Sequence, residues 1–233
     1  MTLKGKTTLI TGGTGALGHV VAERFLAEGS NVATSYVFED ELKRLSENFR
    51  KNVAILRADV TDDEDVIALF HQVISRFGKV DILINIVGGF VPKANLRDVL
   101  TKDWDQMINL NLRSVFLCSR EFMKNHKGSG YGRIISISAM PVFKPTPGRI
   151  PYSVSKAGVY MLTQVLGEEL KGTGLTANAI APSVLRTQVN IASMPEENSG
   201  KWVAPEEVAE MMLFLCSEDS SINGTCIPMF GGV

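Results

Sequence analysis

Apolar positions along the chain alternate between two patterns, short β-branched runs and longer stretches with helical spacing. Thr7 to Thr11 is a compact run of threonine, leucine and isoleucine that ends at glycines. Beyond it Leu17, Val20, Val21, Ala22, Phe25 and Leu26 recur at three- and four-residue intervals, which predicts a helix over Ala16–Glu28. Gly29 is placed to close that helix, because glycine readily takes the left-handed conformation favoured just past a helix end. The alternation continues, with strands predicted over 31–37, 53–56, 81–87, 132–138, 175–181 and 225–229. Between them the spacing predicts helices over 39–49, 62–77, 102–125, 151–170 and 205–216. Asp81 to Val87 is apolar after its first residue except at Asn85, as in a strand covered on both faces. Strands and helices in turn from end to end imply an α/β fold, a doubly wound parallel sheet with helices on both faces. The least regular stretches are 140–150, which holds three prolines, and 190–201. Both follow strand ends on the carboxyl side of the sheet, where such folds bind ligands.

Composition narrows this picture. A chain of 233 residues without linker, repeat or low-complexity tract reads as one domain over 1–233. Apolar residues make up 45%, charged residues 21%, and the formal net charge is −1, so neither nucleic acid nor an anionic membrane is an expected partner. Cys118, Cys216 and Cys226 form no C-x-x-C pair, which argues against a disulfide framework or a zinc site and fits a reducing compartment. The amino end has no long apolar leader segment and no apolar run reaches membrane-spanning length, so a cytoplasmic location is expected.

The chemistry begins at the turn Thr11-Gly12-Gly13-Thr14-Gly15-Ala16-Leu17-Gly18, between the first strand and the first helix. Gly13, Gly15 and Gly18 satisfy G-x-G-x-x-G in the strand–turn–helix context that gives this pattern its meaning. Glycines let the backbone approach a pyrophosphate, and the helix start offers free N–H groups and a positive dipole end. A Rossmann-type dinucleotide site is expected here. The acid usually found about twenty residues later is missing, because the second strand ends near Tyr36-Val37 and Glu39 and Asp40 begin the next helix. No arginine or lysine stands in for it, and Lys43 and Arg44 lie a helical turn away. NAD or NADP is the expected cofactor, with a lean to NAD because a dianionic phosphate needs a cation more than a hydroxyl needs a carboxylate.

Tyr152 and Lys156 stand four residues apart at the start of a predicted helix and therefore share one face. A nearby ammonium favours a phenolate and fits the phenol for proton transfer. An ordinary exposed helix pair has the same spacing. Asn111 is a polar amide in an apolar helical stretch and needs a hydrogen-bonding reason to be there.

Taken together, Thr11-Gly12…Gly18, Asp59-Val60, Asn85-Ile86-Val87-Gly88, Asn111, Tyr152-x-x-x-Lys156 and Pro182-Ser183-x-x-x-Thr187 resemble the short-chain dehydrogenase/reductase family. The likeness runs from Lys4 to Gly232 and is closest to the compact 3-oxoacyl-carrier-protein-reductase type. It implies a seven-stranded parallel sheet, NAD(P)(H), and interconversion of a ketone and a secondary alcohol. It implies Tyr152 as general acid/base, Lys156 on the nicotinamide ribose, and Asn111 holding a water of the proton relay. Cofactor contacts are implied for Gly12, Thr14, Gly15, Leu17, Gly18, Tyr36, Asp59, Val60, Asn85, Gly88, Pro182, Val184 and Thr187, along with Tyr152 and Lys156. It further implies a homodimer or homotetramer packed through the helices that end near Asn125 and Leu170.

The chain departs from the family at three positions. The interval from Tyr152 puts Ala139 where the family has its catalytic serine, with Ser138 one residue early and, in a strand, facing the other way. Ser138 is a candidate for catalysis only if the strand end bends. Ala16 takes the place of the middle glycine of the turn, and Ser183 that of the glycine after Pro182. The segment from Thr187 to Pro205 is short for the family, which suggests an open pocket or a bulky, protein-borne or partner-completed substrate site. Phe90, Val91, Met140, Val142, Phe143 and Met194 are its candidate walls, so the expected substrate is a small apolar carbonyl or alcohol. The alternative is a dinucleotide-binding sensor, scaffold or partner subunit with impaired catalysis, motivated by Ala139.

Overall fold

The computed structural model describes residues 2–126 and 130–233. Seven parallel strands form one sheet: β1 (Thr7–Thr11), β2 (Asn31–Tyr36), β3 (Val53–Arg57), β4 (Ile82–Asn85), β5 (Gly132–Ile137), β6 (Leu175–Pro182) and β7 (Cys226–Met229). Their order is β3-β2-β1-β4-β5-β6-β7, so the strand order reverses between β1 and β4. That reversal opens a crevice above the carboxyl ends of both strands. Register aligns Thr11 with Asn85, and Asn85 with Ser136.

The helices are α1 (Ala16–Ala27), α2 (Glu39–Leu42), α3 (Glu47–Asn52), α4 (Asp63–Phe77), α5 (Thr101–Met107), α6 (Ser114–Asn125), α7 (Ile150–Glu169), α8 (Gln188–Ser193) and α9 (Pro205–Leu215). The period of two sorts the strand side chains between two apolar layers. Ile10, Ile84, Ile135 and Ile180 pack with Val21 and Phe25 of α1 and Val208 and Met212 of α9. Leu9, Leu83, Ile134 and Ala177 pack with Leu69 and Phe70 of α4, Leu117 and Phe122 of α6, and Leu166 of α7. Every residue of β1, β4, β5 and β6 is buried, as in parallel strands covered on both faces, with polar side chains such as Asn85, Arg133 and Asn178 among them.

The structure revises several boundaries. The helix expected over 39–49 is two short helices, broken before Ser46, whose hydroxyl accepts from Phe49 N and caps α3. The helix expected over 102–125 is continuous in course, but Ile108–Arg113 has π-type hydrogen bonding between α5 and α6. A local widening of this kind is frequent at functional sites, and Asn111 lies within it. The stretch 190–201 is less irregular than expected, since α8 covers its start and a 3₁₀ turn spans Ser199–Lys201. Cys118, Cys216 and Cys226 are free and buried. Among the described residues no group of histidine, cysteine and acid could hold a metal ion, and no helix is long and apolar enough to cross a membrane.

Candidate active site

The glycine turn is built by close approaches. Gly12 has φ of +72°, and a Cβ on Gly13 would come 2.4 Å from Thr34 Oγ1. That hydroxyl accepts from Gly13 N at 2.7 Å, so the turn is drawn down onto β2. A Cβ on Gly18 would lie 2.2 Å from Gly12 O and 2.6 Å from Gly13 Cα, so the helix start presses on the turn. Gly15, by contrast, would bring its Cβ only within 3.4 Å of Gly12 O. The sterically obligatory glycines are therefore Gly12, Gly13 and Gly18. Ala16 is exposed at the first position of α1, so the departure from the family's glycine leaves the turn's packing intact. Leu17 is buried, and its N–H belongs to the first turn, which has no earlier helical carbonyl to bond. A cradle of backbone N–H groups that only glycines can form fits a pyrophosphate.

A different acid is brought to the end of β2. Glu41, in the short helix α2, turns back over the strand end, where its Oε1 accepts from Val37 N at 3.2 Å and Phe38 N at 2.9 Å. Its other oxygen accepts from the Thr14 hydroxyl of the glycine turn. Burial by itself would raise the Glu41 pKa, but the bonds from Thr14, Phe38 and Val37 outweigh it and hold the carboxyl below its ordinary value. The acid that turns to the strand end is thus Glu41 rather than Glu39 or Asp40. Glu41 stands three residues after Phe38, the residue that precedes α2, which is the reach of a capping carboxylate. Tyr36 donates to Glu39 Oε1 at 3.1 Å, which raises its pKa.

On the other side of the crevice, Asn111 is fully buried. Its Oδ1 accepts from Gly89 N at 2.8 Å, and its amide donates to Gly89 O at 3.1 Å and Ser155 Oγ at 3.0 Å. Ser155 in turn donates to Tyr152 O at 2.8 Å. Asn111 thus ties the loop after β4 to the first turn of α7. Both donors of its amide are committed, and its oxygen keeps one lone pair for the water expected there. A Cβ on Gly88 would come 2.8 Å from Asn111 Oδ1 and 3.1 Å from Lys156 Nζ, so glycine is what lets this loop pass between them. Lys156 is buried, and its ammonium donates to Ile137 O at 2.8 Å. Burial lowers its pKa from 10.5 to about 8.

Tyr152 is half-buried on the same helix. Burial pushes its phenol up to about 12, and the cation that opposes this is Arg149 rather than Lys156. The lowering expected from Lys156 is not what the structure shows, because that ammonium is turned to the Ile137 carbonyl and Gly88.

Several expected side chains are engaged away from the crevice. The Ser138 hydroxyl donates to Lys156 O at 2.9 Å and its N–H to Ile180 O at 2.8 Å. The strand therefore does not bend to bring Ser138 round, and the hydroxyl joins sheet to helix. Ala139 follows in extended conformation (φ −161°, ψ 157°), so its methyl faces the opposite way. Asn85, expected at the adenosine ribose, donates to Ser136 Oγ at 3.2 Å and Ser119 Oγ at 3.5 Å in the layer beneath α6. Val60 is buried in the core, so only its backbone can meet a ligand. Asp59 is exposed, and its Oδ1 accepts from Thr61 N and Oγ1.

Pro182 ends β6, and the strap after it is pinned to Val203. Val203 N donates to Val184 O at 3.1 Å, and Arg186 N to Val203 O at 2.8 Å. Ser183 donates to Phe230 O at 2.8 Å, which fixes the loop shape at that departure. Thr187 caps α8 through Asn190 N. Among the expected walls, Val91 is buried, Met140, Val142 and Met194 are half-buried, and Phe90 and Phe143 are exposed. Phe143 also packs against Tyr160 and Phe230.

Residues 6–198 match the family model described as short chain dehydrogenase. The chain is 35% identical over 247 residues to 3beta-hydroxysteroid dehydrogenase 1 of Eggerthella lenta, with 99% of this chain and 94% of that protein covered. It is 32% identical over 240 residues to a 3-oxoacyl-[acyl-carrier-protein] reductase of Rickettsia bellii, covering 99% and 98%. Among solved structures, ElxO with NADP bound superposes with a TM-score of 0.90 at 28% identity over 97% of this chain and 98% of that one.

Proposed function

The chain belongs to the short-chain dehydrogenase family and is an NAD(P)-dependent oxidoreductase; from that premise we propose that it reduces a ketone to a secondary alcohol with Tyr152 as proton donor. The observation that carries this reading is the link from Asn111 through Ser155 to Tyr152, with Lys156 and Gly88 packed beside it across the crevice from the glycine turn. A nicotinamide bound there supplies or accepts the hydride. The protein's own share is proton transfer and positioning. A phenol raised to about 12 is protonated at neutral pH, which suits it to give a proton to a carbonyl oxygen. Lys156 offers a buried cation for a ribose hydroxyl, and Asn111 holds the Gly88–Gly89 loop at the cofactor's side. The test is a panel of ketones and alcohols assayed with NADH, NADPH and their oxidised forms. Tight cofactor binding with no turnover of any member favours the non-catalytic sensor or partner subunit that Ala139 motivates.

Glu41 supports NAD over NADP. Its carboxylate holds the Thr14 hydroxyl beside the turn, and a 2′-phosphate brought to this end of the site meets negative charge rather than a cation. Glu41→Gln keeps an oxygen for the Val37 and Phe38 amides while removing the charge. We expect the NADPH-to-NADH ratio of kcat/KM to rise by about 10-fold, the scale of one exposed-to-half-buried charge interaction. Equal shifts for both cofactors in calorimetric titrations would remove Glu41 from the selectivity.

Ala139 makes a second prediction. A serine there points to the opposite side from Ser138, and an added donor to the substrate oxygen raises kcat/KM by about 10-fold or more, with about 10²–10³ as the ceiling known for oxyanion donors. Ser138→Ala should instead leave turnover within a few fold and lower stability by about 1 kcal/mol, the net value of one buried hydrogen bond. Ala139→Ser without gain, alongside a large loss in Ser138→Ala, would hand the role back to Ser138.

For assembly, Phe116 on α6 and Val154, Met161 and Val165 on α7 are exposed apolar side chains on the two helices the family pairs through. They support a homodimer or homotetramer, read out by light scattering.

A further inference from the structure

Arg149 immediately precedes α7 and lies three positions before Tyr152, so both side chains belong to the same end of the helix, above the crevice. It is half-buried, and among the described residues its side chain makes one hydrogen bond, from Nη1 to Val91 O at a long 3.4 Å. Its guanidinium lies 5.4 Å from the centroid of the Phe90 ring. Phe90 and Val91 are two of the expected substrate walls. No carboxylate of the described residues pairs with it. Arg24 and Arg120 each have an acidic partner, and Arg133 is wrapped by the carbonyls of Gly132, Gly174 and Ser217. Arg149 keeps most of its five donors unused, and it does so beside Phe90 and Val91 at the start of α7. The loops that carry it are tied together, since Ala94 N donates to Gly148 O at 3.0 Å and Lys93 packs on Gly148. Arg149 is therefore a held cation in an apolar setting, without a counter-charge.

We propose that Arg149 binds a carboxylate of the substrate, so that the substrate class is oxo-carboxylates with an apolar body rather than neutral ketones. This rests on the reading of Tyr152 as the proton donor at the adjacent carbonyl. The guanidinium fork matches a carboxylate in two parallel hydrogen bonds, and one unit of positive charge balances one carboxylate. The apolar walls around it lower the local dielectric and strengthen the pair. In the reduction, hydride enters the carbonyl carbon as its C=O π bond breaks, and the carbonyl oxygen takes the Tyr152 proton. The carboxylate passes through unchanged. Arg149 at the start of α7 and Tyr152 in its first turn fit a carbonyl and a carboxylate separated by a few carbons. The same guanidinium opposes the rise that burial causes in the Tyr152 phenol.

Two measurements test this. In the first, protein loaded with oxidised cofactor is titrated calorimetrically with pentanoate and pentanamide, in the unaltered chain, Arg149→Gln and Arg149→Lys. Pentanoate should bind about 10- to 100-fold more weakly to Arg149→Gln, the range for hydrogen bonds to a charged group. Pentanamide should change little, and Arg149→Lys should recover part of the loss. Equal binding of pentanoate and pentanamide to the unaltered chain overturns the proposal, as does an equal loss of both in Arg149→Gln. In the second, 2-, 3- and 4-oxohexanoate are compared with their methyl esters. The acid-to-ester ratio of kcat/KM should fall about 10- to 100-fold in Arg149→Gln. An unchanged ratio with both rates lowered means that Arg149 acts only on the Tyr152 phenol, which also overturns it. If pentanoate binding depends on Arg149 while neither acid nor ester is reduced, the carboxylate site stands and the reductase reading falls.

Discussion

Replacing Tyr152 with phenylalanine removes turnover, by about 10³-fold or more in kcat, while the cofactor still binds. General acid–base catalysis by a positioned side chain contributes about 10²–10⁴-fold, and the substitution deletes only the hydroxyl that carries the proton. The ring remains, so the half-buried side chain leaves no cavity and the first turn of α7 keeps its bonds through Ser155 to Asn111. The melting temperature should therefore hold steady, and NAD(H) affinity should change less than threefold. The pH dependence carries its own sign. With the phenol raised to about 12 by burial, the proton donor stays loaded from pH 6 to 9 and does not limit reduction. Oxidation needs the phenolate, so its rate should climb with pH over the same range. A Tyr152→Phe protein with kcat within tenfold of the unaltered chain would end the assignment of Tyr152 as the proton donor, as would a rate of oxidation that is flat with pH.

Much of this site is legible in the sequence because its chemistry is carried by local spacing. The G-x-G-x-x-G turn follows a strand and opens a helix, and Tyr152 and Lys156 share a face because the helical period puts them there. The doubly wound parallel sheet follows from strands and helices alternating along the whole chain, and the period of two then sorts the strand side chains between the two apolar layers. What stayed hidden depends on where short or irregular segments carry a side chain. Glu41 reaches Thr14 only because α2 stops after four residues and folds back over β2, and no periodicity signals so short a helix. Asn85 reads as a ligand residue from its place in the motif, yet its amide turns to Ser119 and Ser136, a choice made by the packing of α6. The π-type segment around Asn111 is a change of hydrogen-bond partner that leaves the apolar pattern nearly untouched. Ser138 and Ala139 show the opposite case. There the alternation alone separated a tie inside the layer from a position facing the other way, and the structure keeps the strand straight enough for that rule to hold.

The buried ammonium of Lys156 makes the remaining large prediction, because it costs the fold stability that the site then uses. Among the described residues no carboxylate pairs with it, and its one bond is to the Ile137 carbonyl. A pKa drawn from 10.5 down to about 8 by burial corresponds to about 3 kcal/mol against the charged form. The folded value lies below the unfolded one, so below about pH 8 both states hold the proton and the folded state bears the full cost. Between about 8 and 10.5 the folded chain gives up its proton while the unfolded chain keeps it, and stability rises through that window. Lys156→Met keeps the stem's length in the core and removes the charge, at the loss of one hydrogen bond worth about 1 kcal/mol. The variant should gain about 1–2 kcal/mol at pH 7, or roughly 3–6 °C in Tm for a chain of this size. That gain should shrink toward nothing near pH 9.5, as the unaltered protein sheds the same proton. Activity should move the other way, with kcat/KM down by about 10²-fold or more, since the variant offers no cation to the ribose. Thermal unfolding of both proteins from pH 7 to 9.5 measures the stability difference, and a Tm loss that does not vary with pH would show that Lys156 supports the fold instead of straining it. A gain in stability with lost activity is the expected signature of a charge buried for function.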